Sequence, residues 1–96
     1  MTWVQIQKSR EATWEDYEKV SEKVGDEVPE GLVLHAAGGA EGGKWQAVSI
    51  WESREAYERF RDERLMPAVV AALGEEVLAA GPPPEEWFEV KDLVEP

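Results

Sequence analysis

The sequence predicts an α+β domain in which a four-stranded antiparallel sheet carries two helices on one face, in the order β-α-β-β-α-β. Four short segments alternate apolar and polar residues, which is typical of strands. Segments with apolar residues at helical spacing follow the first and the third of them. The 96 residues are enough for one domain, residues 1–96, and not for two.

The first strand is predicted at residues 2–7, TWVQIQ, where apolar and polar side chains alternate. Thr13 then precedes an amphipathic run, and Asp16 three residues later completes an approximate capping box. That run places four apolar or aromatic residues at helical spacing: Trp14, Tyr17, Val20 and Val24. The first helix is therefore expected to begin after Thr13 and to end at Gly25.

A hairpin is predicted at residues 32–51, from LVLHAA to KWQAVSIW, after a turn at Pro29 and Gly31. The glycine-rich segment GGAEGG connects the two strands. A phosphate-binding loop is the alternative, but such a loop leads from a strand into a helix and carries a lysine and a hydroxyl residue at fixed spacing. This segment leads into a strand, which favours a simple connector.

The second helix is predicted to begin at the N-cap residue Ser53. Pro67 cannot donate the hydrogen bond of a helix interior, so a corner is expected there, followed by a short helix in PAVVAALG that Gly74 ends. The segment GPPP excludes regular structure, and the last strand is predicted at residues 86–94, EWFEVKDLV.

Both faces of this predicted sheet are apolar. One parity presents Val33, Val48, Ile50, Phe88 and Val90, and the other presents Leu32, Leu34, Trp45, Trp51 and Trp87. Helices cover one face only in this architecture, so the other is expected to meet a partner. A second copy of the chain, packed sheet to sheet as a homodimer, is the simplest partner.

Composition narrows the classes of function. The sequence has 43% apolar and 32% charged residues, which is too apolar for disorder and too interrupted for a membrane span. Its formal charge of -11 would repel nucleic acid and an anionic membrane surface. Cysteine is absent, and one histidine among scattered carboxylates shows no metal-ligand spacing. The N-terminus lacks the pattern of a secretory signal, so a cytoplasmic location is expected.

Residues 2–94 resemble the dimeric α+β barrel superfamily, and within it the antibiotic biosynthesis monooxygenase-like proteins. The similarity is sharpest in WESREAYERFRDERLMPAV and softer in PEGLVLHAAGG. The resemblance implies a ferredoxin-like sheet that pairs face to face in a homodimer. It also implies one of several activities, because the superfamily includes cofactor-free oxygenases of polycyclic phenols, haem-degrading enzymes, isomerases and proteins without a known activity.

Carried over position by position, the resemblance matches Trp51 to the tryptophan that lines the pocket of the oxygenase and haem-degrading branches. Their asparagine on the first strand has no counterpart, although Gln5 or Gln7 stands nearby. Their haem-ligating histidine would fall near Arg61, and the second helix contains no histidine. The expectation is therefore that the protein binds neither haem nor another cofactor.

His35 is the only histidine of the chain, and its pKa near neutrality would suit a general base or a hydrogen-bond donor to a phenol. A strand histidine that merely satisfies itself against its neighbours is the structural alternative. Trp51 could stack on a flat ligand or fill core volume. Both alternatives stay open at the level of sequence.

Tyr57, Phe60 and Arg64 fall on one stripe of the second helix. Arg64 could clamp a carboxylate or an enolate, although an ion pair with one of the many acids is the commoner arrangement. We expect a small cavity between the sheet and this helix, with His35 and Arg64 as candidate catalytic residues and Trp51, Tyr57 and Phe60 as ligand-binding residues.

Two functions remain open from the sequence. One is a cofactor-independent oxygenase or isomerase of a small aromatic or polyketide-like molecule, in which a substrate anion is stabilised and water is excluded. The other is a non-catalytic dimer that binds a small ligand or a partner. A continuous cavity reaching His35, Trp51 and Arg64 would favour the enzyme, and a packed interior would favour the other.

Overall fold

The computed structural model describes residues 2–39 and 43–96. Within these residues one antiparallel sheet has the strand order β2-β3-β1-β4, with β1 at Trp3–Thr13, β2 at Leu32–Gly39, β3 at Lys44–Trp51 and β4 at Glu85–Glu89. The α-helices are α1 at Trp14–Val24, α2 at Arg54–Phe60 and α3 at Met66–Leu73. This arrangement confirms the predicted α+β, ferredoxin-like fold.

The first helix begins and ends where its local signals predict. The Thr13 side chain accepts a hydrogen bond from the Asp16 N–H at 3.3 Å, and the Asp16 carboxylate accepts one from the Thr13 N–H at 3.0 Å. The capping box is thus complete, and Gly25 ends the helix with a φ of 87°. The preceding strand is longer than the predicted 2–7, with an irregularity in its pairing between Lys8 and Thr13.

A bulge near the start of β2 changes which side chains share a face. Leu32 lies opposite Trp51, whereas Leu34 lies opposite Ile50, the residue next to Trp51 in β3. The two leucines therefore lie on opposite faces, and their predicted placement on one face is wrong because the extra residue interrupts the alternation. Beyond the bulge, His35 is opposite Ser49.

The glycine-rich connector joins two strands as predicted, because β2 and β3 pair antiparallel on either side of it. Residues 40–42 of that connector lie outside the described residues.

The chain stays helical through Pro67 where a corner was predicted, but the predicted short helix after it is present as α3, with Pro67 in its first turn and Gly74 at its end. Residues 54–73 stay helical, and α2 continues into α3 through a π-helical segment, Arg61–Leu65. In that segment the Met66 N–H bonds to the Arg61 carbonyl, five residues back, instead of four. An α-helix would bring the Pro67 ring against the carbonyl of residue 63, so we attribute the wider turn to the proline. Ser53 caps α2 as predicted, accepting from the Ala56 N–H at 3.1 Å.

The last strand is shorter than the predicted 86–94. Pairing with β1 ends at Glu89, opposite Trp3, and a final backbone bond joins the Val90 N–H to the Thr2 carbonyl. A 3₁₀-helical segment, Glu75–Ala80, precedes this strand.

The helices cover one face of the sheet and leave the other open. Trp51, Ala56 and Tyr57 form the buried centre of the covered side, with Leu32, Phe60, Leu65 and Trp87 packed around it. The open face carries large apolar side chains that stay accessible in the single chain: Leu34 at 55%, Val48 at 41% and Phe88 at 51% exposed. It also has a shallow groove of about 320 Å³, floored by the small residues Ala36 and Gly38.

Candidate functional site

Polar side chains occupy the middle of the helix-covered face. Gln5 and Ser49 lie opposite each other on β1 and β3 and are 1% and 4% exposed. A purely structural sheet face at this depth would be expected to be apolar. Each buried polar group therefore needs a partner, and the partners form two separate networks.

The first network contains His35. Its Nδ1 is hydrogen-bonded to the Ser49 hydroxyl at 2.7 Å, and its Nε2 to the Tyr17 hydroxyl at 2.6 Å. Ser49 is buried, whereas His35 keeps an exposed edge. The result is a hydrogen-bonded chain that runs from the interior of the sheet through the imidazole to a side chain of α1.

Partial burial affects the protonation of the His35 and Tyr17 side chains in this network. Partial desolvation lowers the pKa of His35 from 6.5, which favours the neutral imidazole near pH 7. Desolvation also raises the pKa of Tyr17, which keeps its hydroxyl protonated. A neutral imidazole beside a protonated phenol is a group that can accept a proton.

The second network surrounds Glu85 at the β4 end of the sheet. One carboxylate oxygen accepts from the Trp87 indole at 3.0 Å, and the other accepts from Gln5 at 3.2 Å and Gln7 at 3.3 Å. Gln7 also donates to the Tyr57 hydroxyl at 3.3 Å. Gln5 in turn accepts from the Trp51 indole at 3.3 Å.

Trp51, Tyr57 and Phe60 come together as the sequence predicts. The Trp51 ring centre lies 5.5 Å from that of Tyr57 and 5.7 Å from that of Phe60. Trp51 is only 2% exposed and Tyr57 only 5%, so both rings are held tightly beneath α2. Burial raises the pKa of Tyr57. These residues form a packed aromatic wall.

Arg64 has a different environment from His35. It lies in the π-helical segment and donates through Nη2 to the backbone carbonyls of Val24 at 3.0 Å and Glu27 at 2.9 Å. Its guanidinium also lies 5.4 Å from the centre of the Phe60 ring. Among the described residues Arg64 thus bonds to one carbonyl at the end of α1 and one beyond it, instead of forming the expected ion pair.

The aromatic residues of α1 line a groove that reaches the first network. It has a volume of about 670 Å³ and is lined by the Trp14 and Tyr17 rings together with Glu18, Glu22 and Asp26. The Trp14 and Tyr17 rings stack with centres 4.8 Å apart and planes 12° apart. The predicted cavity was placed under α2, whereas this groove lies along α1.

The described part of the chain has neither a metal-binding cluster nor a membrane-spanning helix. Residues 2–39 and 43–96 contain no group of three or more histidine, cysteine or acidic side chains arranged to hold a metal ion. None of the helices in these ranges has the length and apolarity that crossing a bilayer requires.

The fold is similar to that of solved oxygenase structures. SnoaB, a cofactor-independent oxygenase from Streptomyces nogalater, is 14% identical with a TM-score of 0.54, covering 97% of this chain and 94% of SnoaB. A single-residue variant of SnoaB is 16% identical with a TM-score of 0.56 over the same shares. A candidate antibiotic biosynthesis monooxygenase from Deinococcus radiodurans is 13% identical with a TM-score of 0.59, covering 99% and 97% of the two chains.

No protein-family model and no curated protein matches the chain. The structural similarity confirms the predicted fold, that of the antibiotic biosynthesis monooxygenase-like α+β barrel proteins. Identities this low establish the fold alone.

Sequence reasoning missed Tyr17, Ser49 and Glu85 as members of polar networks. The helical spacing places Tyr17 on the apolar stripe of the first helix, and the sequence pattern gives Ser49 no distinct role. The available signal was the run of polar residues, Gln5 and Gln7 on β1 and Ser49 on β3, at the parity that the helices cover.

Proposed function

We propose that this protein, which has the fold of the antibiotic biosynthesis monooxygenase-like proteins, is a homodimeric, cofactor-independent oxygenase of small planar phenols or related carbon acids. The observation that carries the proposal is the His35 imidazole, which is hydrogen-bonded between the Ser49 and Tyr17 hydroxyls. Tyr17, which is bonded to this imidazole, lines the aromatic groove along α1. The likeness to SnoaB supports the same class of reaction.

In the proposed reaction His35 is the final acceptor of a proton from the substrate. Removing that proton leaves an electron-rich anion, which can react directly with dioxygen without a bound cofactor. Arg64 donates its Nη2 hydrogens to two backbone carbonyls and not to an acid. Its direct role in holding the anion therefore stays a prediction.

Anthrone provides a direct test, because it is a planar tricyclic ketone with an acidic methylene group. Loss of a methylene proton gives an enolate, whose carbon bonds to dioxygen. Loss of water from the resulting peroxide then yields anthraquinone. One oxygen atom enters the new carbonyl and the other leaves in water, so no further oxidant or reductant is needed.

We expect the protein to accelerate anthraquinone formation in air and not under argon. His35→Gln should lower the rate about a hundredfold, the size of a general-base contribution. Lys19→Gln, on an exposed position of α1 outside the groove lining, is the matched control and should retain the wild-type rate. No acceleration by the wild-type protein, or equal rates for wild type and His35→Gln, would contradict the proposed oxygenase.

The homodimer is supported by the open sheet face. Leu34, Val48 and Phe88 are exposed there, and a second copy would remove this apolar area from water. The same face carries Lys8 and Glu86, opposite Gln46 and Ile6 in the sheet. A face with both signs of charge can meet its own copy despite the net charge of -11.

A second candidate function is a non-catalytic dimer. It is favoured by the packed aromatic wall and by polar side chains that already satisfy one another, because buried side-chain polar atoms of the described residues have partners. A stable dimer that neither oxidises anthrone nor binds a planar phenol would establish this function in place of the oxygenase.

A further inference from the structure

We propose that the substrate lies in the groove along α1, and that Tyr17, not His35, makes the hydrogen bond to its hydroxyl group. The inference rests on the proposed oxygenase function and names a further catalytic residue for it. It also identifies the ligand class as a neutral planar phenol without a carboxylate.

The first step concerns the two nitrogens of His35. Nδ1 is occupied by the Ser49 hydroxyl at 2.7 Å and Nε2 by the Tyr17 hydroxyl at 2.6 Å. An imidazole has only these two hydrogen-bonding positions. A ligand therefore cannot bond to His35 without displacing one of its partners, and Ser49 is buried.

The second step concerns Tyr17, whose hydroxyl oxygen can donate one hydrogen bond and accept others. When it donates to Nε2, its oxygen remains able to accept a proton from a ligand hydroxyl. Transfer then proceeds in a balanced way: the ligand O–H bond breaks, Tyr17 gains that proton, and the former Tyr17 proton passes to Nε2. The products are a ligand anion and an imidazolium whose Nδ1–H is held by Ser49.

The third step concerns the space beside Tyr17. The groove of about 670 Å³ is of the size that small-molecule sites have, and the Trp14 and Tyr17 rings line it. The Trp45 ring also lies 5.7 Å from that of Tyr17, on the sheet side. Aromatic rings that line a groove offer flat apolar surface on which a planar ligand can stack.

The charges of the groove select among planar ligands. Glu18, Glu22 and Asp26 line it, so a ligand that arrives as a carboxylate meets three like charges. A neutral phenol avoids this repulsion.

The test compares 2-naphthol with its methyl ether, 2-methoxynaphthalene, by calorimetric titration near neutral pH. The ether keeps the ring system and lacks the hydroxyl proton. We expect the wild-type protein to bind 2-naphthol about tenfold more tightly than the ether, which corresponds to one hydrogen bond. Tyr17→Phe keeps the stacked ring and should bind the two compounds equally.

Tyr57→Phe is the matched comparison, because it deletes the hydroxyl of the only other tyrosine of the chain. It should retain the tenfold preference for 2-naphthol. If Tyr57→Phe abolishes the preference and Tyr17→Phe keeps it, the ligand lies beside the aromatic wall and the inference is overturned. The same conclusion follows if 2-naphthoic acid, the carboxylate analogue, binds more tightly than 2-naphthol.

Failure of this inference can be distinguished from failure of the proposed function. If Tyr17→Phe keeps the preference while His35→Gln loses both the preference and anthrone oxidation, the ligand contacts His35 directly. The oxygenase then stands and the assignment of Tyr17 falls. If the wild-type protein binds neither naphthalene compound and does not oxidise anthrone, both fall.

Discussion

At the scale of single residues, the surroundings of His35 determine when its imidazole can accept a proton. Its ring is bonded to Tyr17 of α1 and to Ser49 of β3, and desolvation lowers its pKa from 6.5. The same hydrogen bonds that orient the ring would hold a proton acceptor in place for catalysis. The desolvation that lowers the pKa of His35 also links the free energy of unfolding to pH.

The expected dependence follows from the direction of the pKa shift. The unfolded chain titrates near 6.5 and takes up a proton before the folded protein does. The contribution of His35 to stability is therefore fully present above pH 6.5 and is lost as the pH falls through its lower folded pKa. Stability rises with pH across that window.

Urea unfolding of the wild-type protein and of His35→Gln, from about pH 7.5 to about pH 5, measures this term. The stability difference between the two proteins should shrink as the pH falls. Carboxylates that titrate in both proteins cancel in the difference. A difference that is constant across the range would show that His35 does not titrate differently in the folded state.

At the scale of elements, Arg64 links the π-helical segment to the C-terminal end of α1 through hydrogen bonds. It lies in the π-helical segment and donates to Val24, the last residue of α1, and to Glu27 beyond it. These carbonyls lie at and after the C-terminus of α1, where the macrodipole also favours a cation. These two hydrogen bonds of Arg64 thus hold α1, which carries Tyr17, against the π-helical segment Arg61–Leu65.

Arg64→Ala should lower the free energy of unfolding by about 2 kcal/mol, because it removes two charged hydrogen bonds to backbone carbonyls, of which the one to Val24 is partly buried. Arg61→Ala is the matched control, since its guanidinium makes an exposed ion pair with Asp62 at 2.9 Å and lies 5.9 Å from the Tyr57 ring centre, and it should cost about 1 kcal/mol or less. Chemical denaturation of both variants provides the measurement. Equal effects of the two substitutions would show that the Arg64 hydrogen bonds to α1 do not stabilise the fold.

Gly31 determines how closely the β2 entry approaches α2. A Cβ at Gly31 would lie 2.6 Å from the Ala56 Cβ, and the residue has a φ of 87°. Gly25 has the same φ of 87° with nothing within 4 Å of its Cβ position. The pair therefore separates the cost of backbone conformation from the cost of a steric clash.

Gly25→Ala should destabilise the protein by about 1 to 3 kcal/mol through its backbone conformation alone. Gly31→Ala should cost clearly more, because Ala56 is buried and α2 must move away from the strand. Thermal or urea unfolding measures both. If the two variants lose the same stability, the approach of the helix is not tightly constrained.

At the scale of the whole molecule, the open face of the sheet is a large apolar surface that no helix covers. Leu34, Val48 and Phe88 are exposed on it. Val48 is the best position at which to test the dimer, because it is 41% exposed in the single chain and lines the groove of the open face. In a dimer packed sheet to sheet it would be buried. A charge there would be desolvated without a partner.

Val48→Asp should therefore dissociate the dimer while the chain still folds, and Val28→Asp, at a position that is 70% exposed outside the sheet, should leave the dimer intact. Sedimentation at micromolar concentration, with circular dichroism as a check of folding, tests this. A wild-type protein that sediments as a monomer would refute the homodimer.

The sequence by itself determined the features that depend on near neighbours along the chain. The capping box at Thr13, the N-cap at Ser53 and the aromatic wall of Trp51, Tyr57 and Phe60 are of this kind, because each joins residues fewer than ten positions apart. Local hydrogen bonds and helical spacing suffice to predict them.

Only the tertiary structure decided the features that depend on how distant segments approach each other. The bulge in β2 splits Leu32 from Leu34, and Tyr17 meets His35 across 18 positions. Arg64 finds carbonyls that lie 40 and 37 positions earlier in the chain, where the sequence suggested an acid. Register shifts and side-chain partners of this kind are set by packing between elements, for which local periodicity carries no signal.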